Sequence, residues 1–307
     1  MNTDANSQDN IAQGALLVLA AALVWGMGGL LARLADIADP WVVIFWRTGI
    51  ASVCLLAFMF WRDGMRGTYK LFLDMGWPGF AVGVAFATAS TSFIIALQFT
   101  SVANILLMQA GVPLIAALLS RVFFSEPLRK STWIAIGAVI AGILVMVSDS
   151  LKGNISPIGD GLAFLIAFAF AGATVITRRY SNIRMTPAAC TGTMIGWLIS
   201  VFMCLSTTAW MIVSTFQLSV MFVFGTSLAL GLVCFTIGAR SIPSAFAALL
   251  GTAETITGPL WVWLFLDETP SARTIAGGTI ILVALIGYLN WQFFANYKIK
   301  KLPPNMN

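Results

Sequence analysis

Two charged residues stand inside long apolar stretches, and they are the first candidates for chemistry. Glu254 is the one charged residue between positions 241 and 266, and Arg47 is the one charged residue between positions 40 and 61. A charge in such a setting is costly, so it faces a wet cavity, pairs with an opposite charge or carries a proton. Both residues are therefore candidates for binding a charged solute or for locking helices together.

Neutral side chains add candidates for the lining of a cavity. Thr88, Asn104 and Gln109 can bind an amino or carboxylate group of a solute, or they can hydrogen-bond neighbouring helices. Trp25 precedes Gly26 in the first apolar stretch, and the missing side chain leaves space beside the indole. We expect Trp25 to be an aromatic lining residue.

Several classes of function are excluded by what the sequence lacks. It has no histidine, and its four cysteines lie singly in apolar segments, which excludes His-based catalysis, Cys/His zinc sites and a disulfide framework. No paired intramembrane carboxylates and no Walker sequence occur. We therefore expect no enzyme, no metal and no cofactor. Nucleic acid is also not expected as a partner, because the basic residues are scattered among loops.

The elements that must position these residues are membrane-spanning helices. Of 307 residues, 59% are apolar and only 9% are charged, and each crossing needs about 20 apolar residues. Unpaired backbone groups find no partner in lipid, so we predict an all-α integral membrane protein. The ten predicted crossings are 13–34, 40–61, 75–97, 102–124, 131–148, 158–178, 187–207, 219–239, 244–266 and 273–294.

Orientation follows from the Lys and Arg residues of alternate loops, because cytoplasmic loops are the basic ones. One side holds Arg62, Arg66, Lys70, Arg121, Arg129, Lys130, Arg178, Arg179, Arg184, Arg240, Lys298, Lys300 and Lys301. The other side holds only Arg33, Lys152 and Arg273. This asymmetry predicts that both termini are cytoplasmic, with a disordered tail over 1–12 and a second tail over 295–307.

The halves 13–148 and 158–294 resemble each other at a slowly drifting offset. The matched positions are Gly26 and Arg33 with Gly172 and Arg179, Pro40 and Gly49 with Pro187 and Gly196, Ala96 and Ser101 with Ala239 and Ser244, and Glu126 with Glu268. Five helices per half make the second copy inverted, and inverted repeats build alternating-access transporters. An ion pair between Arg47 and Glu254 would link the two repeats, since helix-rise arithmetic puts them within about 5 Å in depth.

Two interruptions stand at corresponding places in the fourth and ninth predicted helices. They are Gly111 with Pro113, and Gly258 with Pro259. Such paired interruptions permit bending and point to a substrate site. The alternative is that they are ordinary, because glycine and proline are frequent in membrane helices.

Four features carry a family resemblance. They are Trp25-Gly26, Arg47, the stretch from Ala96 to Pro127 (ALQFTSVANILLMQAGVPLIAALL, ending in SEP), and the stretch from Ala239 to Glu268 (ARSIPSAFAALLGTAETITGPLWVWLFLDE). Over residues 13–294 the chain resembles the EamA family of the drug/metabolite transporter superfamily, and within it the bacterial inner-membrane amino acid exporters of the YddG type. The resemblance implies a cavity formed by helices 1–4 and 6–9. Thr255 replaces the family's usual proline, so Gly258-Pro259 is expected to supply the kink.

We interpret the chain as an inner-membrane exporter of small neutral or zwitterionic metabolites, above all apolar or aromatic amino acids, working by alternating access. The alternatives are an exporter of drug-like organic cations attracted by Glu254, and a facilitator or channel. A channel would usually show a ring of repeated filter groups, and we find none in the sequence. Proton coupling would have to use Glu254 or bound water, and the oligomeric state stays open.

Overall fold

The structure, a computed structural model, describes residues 2–125, 130–148, 156–180, 182–205, 213–238, 250–251 and 253–300. Helices joined by turns make up all of these residues, and no β-strand occurs among them. A helix pairs every backbone N–H and C=O within its own segment, which is what a lipid environment demands. The all-α prediction is confirmed for this part of the chain.

The described residues form twelve helices. They are α1 (Asn2–Gly26), α2 (Gly28–Leu34), α3 (Pro40–Asp74), α4 (Gly76–Ala96), α5 (Val102–Gln109), α6 (Val112–Phe124), α7 (Lys130–Val147), α8 (Pro157–Arg179), α9 (Thr186–Cys204), α10 (Thr215–Gly238), α11 (Ala253–Leu266) and α12 (Ala272–Lys300). Each predicted crossing overlaps one or two of them.

Fewer than ten of the described helices meet the criteria of length and apolar composition for a membrane crossing. Six helical segments in the described residues are long and apolar enough to span a bilayer, and α5 with α6 makes a seventh if the bent pair is one span. Two shorter apolar helices, Trp133–Met146 and Ala272–Ala284, lie in α7 and α12. The count of ten crossings and the sidedness of the termini stay predictions.

The predicted tails are partly helical. Helix α1 begins at Asn2 and therefore includes residues 2–12 of the predicted tail. Helix α12 likewise runs on to Lys300, into the predicted tail 295–307. Residues 301–307 lie outside the described residues.

Helix α3 is longer than the predicted crossing 40–61. It continues to Asp74 across a break at Gly64, whose φ of 70° and ψ of 172° are not helical. A positive φ suits glycine, which has no Cβ to clash with the backbone. The residues after Gly64 therefore form a separate helical segment that a hydropathy pattern does not reveal.

Helices of one half pack mainly on helices of the other half. Helix α1 packs on α10 and α11, while its counterpart α8 packs on α4, α5 and α6. Helix α3 packs on α9 and α10, and α4 packs on α8 and α9. These contacts are thus the same when the two halves are exchanged.

Helices α7 and α12 pack on each other through two glycines. A Cβ added to Gly277 would lie 2.5 Å from the carbonyl oxygen of Gly142, and one added to Gly142 would lie 2.7 Å from that of Gly277. Small residues let two membrane helices approach to backbone contact.

Polar contacts between segments mark the two ends of the bundle. At the first, called the Glu268 end, the Arg33 Nε lies 3.3 Å from the Glu268 Oε2. At the opposite end, called the Arg184 end, the Arg184 Nη1 lies 2.8 Å from the Asp63 Oδ1. Because each helix runs from one of these ends towards the other, the depth of a residue can be counted along its helix from either end.

Candidate functional site

A cavity inside the bundle is lined by helices from both halves. Its lining residues are Trp25 and Gly28 of α1 and α2, Arg47 of α3, Phe86, Ala89, Ser90 and Phe93 of α4, Gln109 of α5, Ile166 and Phe170 of α8, Ala189 and Thr193 of α9, Phe224, Ser227, Leu228 and Leu232 of α10, and Glu254 of α11. Helices α7 and α12 contribute none of these residues. The cavity volume of about 70 Å³ has room for a few water molecules.

The lining is built from regular helical faces. On α4 the lining positions are spaced by three and four residues, from Phe86 through Ala89 and Ser90 to Phe93. Positions at i, i+3, i+4 and i+7 share one face of a helix. This stripe on α4 was a signal that the sequence carried and that a search for polar residues alone missed.

Arg47 is held on one side of the cavity and keeps free hydrogen-bonding capacity. It is 7% exposed, and its Nη1 donates to the Ser90 Oγ at 3.1 Å and to the Ser90 carbonyl at 3.4 Å. Its guanidinium carbon lies 4.4 Å from the ring centroid of Phe224, within the range of a cation–π contact. Its Nε finds no hydrogen-bond partner among the described residues.

Glu254 and Gln109 line the cavity at nearly the same depth. Gly258 of α11 packs against Leu106 of α5, and the two helices run in opposite directions, since the Val102 amide at the start of α5 donates to Glu268 just beyond the end of α11. Glu254 precedes Gly258 by four residues, and Gln109 follows Leu106 by three. Both therefore lie about one turn from this crossing, on the side away from the Glu268 end.

The direct ion pair predicted between Arg47 and Glu254 is not formed in this conformation. The two residues interact electrostatically, but these two described side chains make no N–O contact within 4.0 Å. The Phe224 ring, which contacts the Arg47 guanidinium, also lies against Gly28. Gly26, two residues earlier in the chain and farther from the Glu268 end, lies against Gly258, and Glu254 is one turn farther still. By helix rise, this places Arg47 roughly 9 Å nearer the Glu268 end than Glu254.

An aromatic wall joins the two charged ends of the cavity. It consists of Trp25, Phe86, Phe93, Phe170 and Phe224. The rings of Phe86 and Phe170 meet edge to face with centroids 5.8 Å apart, an arrangement that aromatic pairs favour. The indole N–H of Trp25 is buried without a hydrogen-bond partner among the described residues. The cavity thus has an aromatic surface between Arg47 and Glu254.

Thr88 and Asn104 do not line the cavity, contrary to our expectation. The Thr88 hydroxyl donates to the Val84 carbonyl within α4 at 2.9 Å. Asn104 is fully buried, and its amide donates to the Asp160 carboxylate at 2.6 Å and to the Thr100 hydroxyl at 3.0 Å. Asn104 is therefore a link between α5 and α8. Its five-residue separation from Gln109 turns the two side chains about 140° apart on a helix.

The two glycine-proline interruptions differ in the structure. Helix α5 ends before Gly111, helix α6 begins at Val112 with Pro113 in its first turn, and the two helices are bent by 43°. Pro259, by contrast, lies inside α11, which continues to Leu266. Gly258 is a packing site for Leu106 and Gly26. Only the first interruption therefore coincides with a helix break among the described residues.

The Glu268 end of the cavity is closed by polar contacts between the halves. Glu268 accepts from the Val102 amide at 3.0 Å, and Arg33 donates to the Thr100 carbonyl at 3.3 Å in addition to its ion pair. An apolar layer that includes Leu30, Val43 and Ile105 lies in the core beneath them. Neither the ion pair nor the capping of α5 was predicted, because the two partners are far apart in sequence.

Comparison with known proteins gives one family. The family model described as the EamA-like transporter family matches residues 12–148 and residues 157–290. Both halves of the chain thus match the same model, in ranges close to the predicted halves.

Curated relatives of the chain are transporters with different cargoes. The chain is 28% identical to the uncharacterized transporter YwfM of Bacillus subtilis, over 88% of this chain and 92% of the relative. It is 25% identical to the pseudopaline exporter CntI of Pseudomonas aeruginosa, over 91% of this chain and 96% of the relative. It is 28% identical to the riboflavin transporter ImpX of Fusobacterium nucleatum, over 56% of this chain and 60% of the relative.

A solved structure shares the fold. A crystal structure whose description names no function matches this chain with a TM-score of 0.63 at 16% identity, over 89% of this chain and 96% of that chain. This likeness concerns the fold alone.

Proposed function

The chain belongs to the EamA-like transporter family and is a membrane transporter, and from that premise we propose that it exports small dipolar metabolites across the inner membrane. The proposed cargo is an amino acid with an apolar or aromatic side chain. The observation that carries this proposal is the bipolar cavity, with Arg47 and Ser90 towards one end, Glu254 and Gln109 towards the other, and aromatic rings between them.

The chemistry of the cavity matches a zwitterion at both ends. The Arg47 guanidinium lines the cavity, and a guanidinium binds a carboxylate through charge-assisted hydrogen bonds. A carboxylate and an amide oxygen bind an ammonium group, and the aromatic wall accepts an apolar side chain. An ion pair between Arg47 and Glu254 would compete with such a cargo, and the two side chains are apart in this conformation. The cavity of about 70 Å³ holds only a few water molecules, so we propose that the cargo binds in a conformation with a wider cavity.

Alternating access is the proposed mechanism, and the exchange pattern of helix contacts supports an inverted repeat. The ion pair at the Glu268 end has a counterpart in the repeat, because Arg33 matches Arg179 and Glu268 matches Glu126. Arg179 lies with its guanidinium 5.7 Å from the ring centroid of Phe124, at the end of α6. Glu126 lies outside the described residues. We propose that the two pairs hold opposite ends closed in alternate states.

The cargo assignment is tested by competition in proteoliposomes. Uptake of radiolabelled phenylalanine is measured against phenethylamine, which lacks the carboxylate, and against 3-phenylpropanoate, which lacks the amine. We expect neither analogue to compete in the wild-type protein. In Arg47→Gln we expect phenethylamine to compete, because the variant lacks the partner of the carboxylate that phenethylamine also lacks. In Glu254→Gln we expect 3-phenylpropanoate to compete, because the variant lacks the partner of the missing amine.

The same assay separates the alternatives. Thr88→Ala is the matched control, because Thr88 is a polar residue of α4 that does not line the cavity, and it should leave competition unchanged. An amine that competes as well as the zwitterion in the wild-type protein would instead indicate an exporter of organic cations. With an imposed pH gradient, a loss of gradient-driven accumulation in Glu254→Gln that is greater than its loss of exchange would indicate that this carboxyl also carries the proton.

A further inference from the structure

The helical segment after Gly64, residues 65–74, exposes an apolar stripe. Met65, Tyr69 and Leu73 are 77%, 68% and 62% exposed. Their four-residue spacing places them along one side of the segment. The segment thus has an apolar side that no other described helix covers.

A basic stripe runs directly beside the apolar one. Arg66 and Lys70 each follow an apolar stripe residue by one position, about 100° around the helix, and both are exposed. Arg62 precedes the break and is also exposed. Of the nearby carboxylates, Asp63 is paired with Arg184 and only Asp74 remains at the far edge. The exposed surface is therefore positively charged.

The opposite side of the segment attaches it to the bundle. Thr68 is buried at 2% exposure, and Phe72 packs against two apolar clusters of the core. Trp61 before the segment and Trp77 after it are both strongly exposed, and tryptophan favours the boundary between lipid and water. The segment is thus held at the rim of the membrane-spanning part with its two stripes outward.

We propose that residues 65–74 form an interfacial helix that binds anionic phospholipids. The apolar stripe enters the acyl boundary, and the basic stripe pairs with the phosphates of the headgroups. Charge complementarity selects anionic over zwitterionic lipid, because each basic residue near an anionic surface adds to the attraction. This inference is independent of the cargo proposed above.

The test compares two bilayers that differ only in which lipid carries bromine, a short-range quencher. Tyr69→Cys on a background without the native cysteines is labelled with bimane and reconstituted into mixtures of phosphatidylglycerol and phosphatidylcholine of fixed composition. We expect bimane quenching at least twofold greater when bromine is on phosphatidylglycerol. The double variant Arg66→Gln with Lys70→Gln should remove this difference, as should high salt.

Lys130→Gln is the matched control, because Lys130 is an exposed basic residue at the start of α7 outside the two stripes, and it should keep the twofold difference. Equal quenching by both brominated lipids in the otherwise unchanged protein would overturn the lipid preference, whatever the double variant does. Absence of quenching by either lipid would overturn the interfacial placement. Cross-linking between Tyr69→Cys copies would then identify a second copy of the chain as the occupant.

Discussion

Arg47 shows how one residue can be fixed by its neighbours and still line the cavity. Ser90 and the Phe224 ring fix the guanidinium, while its Nε is left without a partner among the described residues. A planar guanidinium offers several donors in a fixed fork, whereas a lysine ammonium is a point charge. The position is therefore suited to arginine in particular if it binds a carboxylate.

We expect Arg47→Lys to weaken cargo binding although the charge is kept. Loss of a charge-assisted hydrogen bond costs about 1.5–3 kcal/mol, so KM for exchange should rise about tenfold or more, with an unchanged elution profile of the purified protein. Exchange kinetics in proteoliposomes measure KM. An unaltered KM would mean that Arg47 is a packing residue.

Asn104 should affect stability and not cargo binding. Asn104→Ala removes the amide that donates to Asp160, at a cost of about 1–3 kcal/mol, and Asn104→Asp should cost more because it sets two carboxylates side by side. Thermal unfolding in detergent measures both changes, and we expect the order wild type, then Ala, then Asp in falling Tm. KM for exchange should stay within twofold for Asn104→Ala. A larger change in KM would mean that Asn104 takes part in cargo binding.

Polarity and depth in the sequence selected Trp25, Gln109 and Glu254, and all three line the cavity. Polarity alone also selected Thr88, whose hydroxyl bonds within its own helix, and Asn104, which bonds Asp160 of α8. The rotation of a helix about its axis depends on its neighbours, and no single segment specifies it. The spacing of 100° per residue shows that Asn104 and Gln109 cannot both face one cavity.

At the scale of helices, the break between α5 and α6 directly follows a lining residue. Pro113 has no N–H to donate to the carbonyl of Gln109, four residues earlier, so the backbone is free to bend at Gly111. Because Gln109 lines the cavity, a change in this bend would move the site itself.

We expect Pro113→Ala to slow the conversion between access states. The restored N–H favours a continuous helix, so the maximal rate of exchange should fall several-fold with little change in KM. Pro259→Ala is the matched control, since Pro259 lies within the uninterrupted α11 and its substitution should change the rate less. Exchange rates at saturating cargo make the comparison, and equal effects of the two variants would remove the special role of the break.

Helix positions followed from hydropathy because lipid leaves apolar segments little choice of structure. The segment after Gly64 did not follow, since its charges ended the hydropathy signal at Trp61 while its helical structure continued. The two proline positions looked equivalent in the repeat, but the packing of Gly258 against Leu106 and Gly26 differs from the open break at Gly111.

At the scale of the whole molecule, the two proposed pairs, Arg33 with Glu268 and Arg179 with Glu126, can be tested by two matched variants. We expect Glu268→Gln to weaken closure at the Glu268 end and Glu126→Gln to weaken closure at the opposite end. On a background without native cysteines, labelling of Ser227→Cys in the cavity should therefore increase from opposite sides of the membrane. Increased labelling from the same side in both variants would contradict the inverted repeat.

The contacts that join the halves were the least predictable feature. The repeat in the sequence singled out Arg33 and Glu268 as matched positions, but it did not pair them with each other. Their pairing depends on how α2, α5 and α11 come together at one end of the bundle, which is a property of the assembled helices.

Counterflow of radiolabelled phenylalanine in proteoliposomes tests the central claim most directly. A carrier with one alternately exposed cavity should take up labelled cargo faster when unlabelled cargo fills the vesicles, and phenethylamine inside should give no such stimulation. Saturable stimulation by internal phenylalanine is the predicted result. Uptake of phenylalanine that is indifferent to the internal solute would contradict the account.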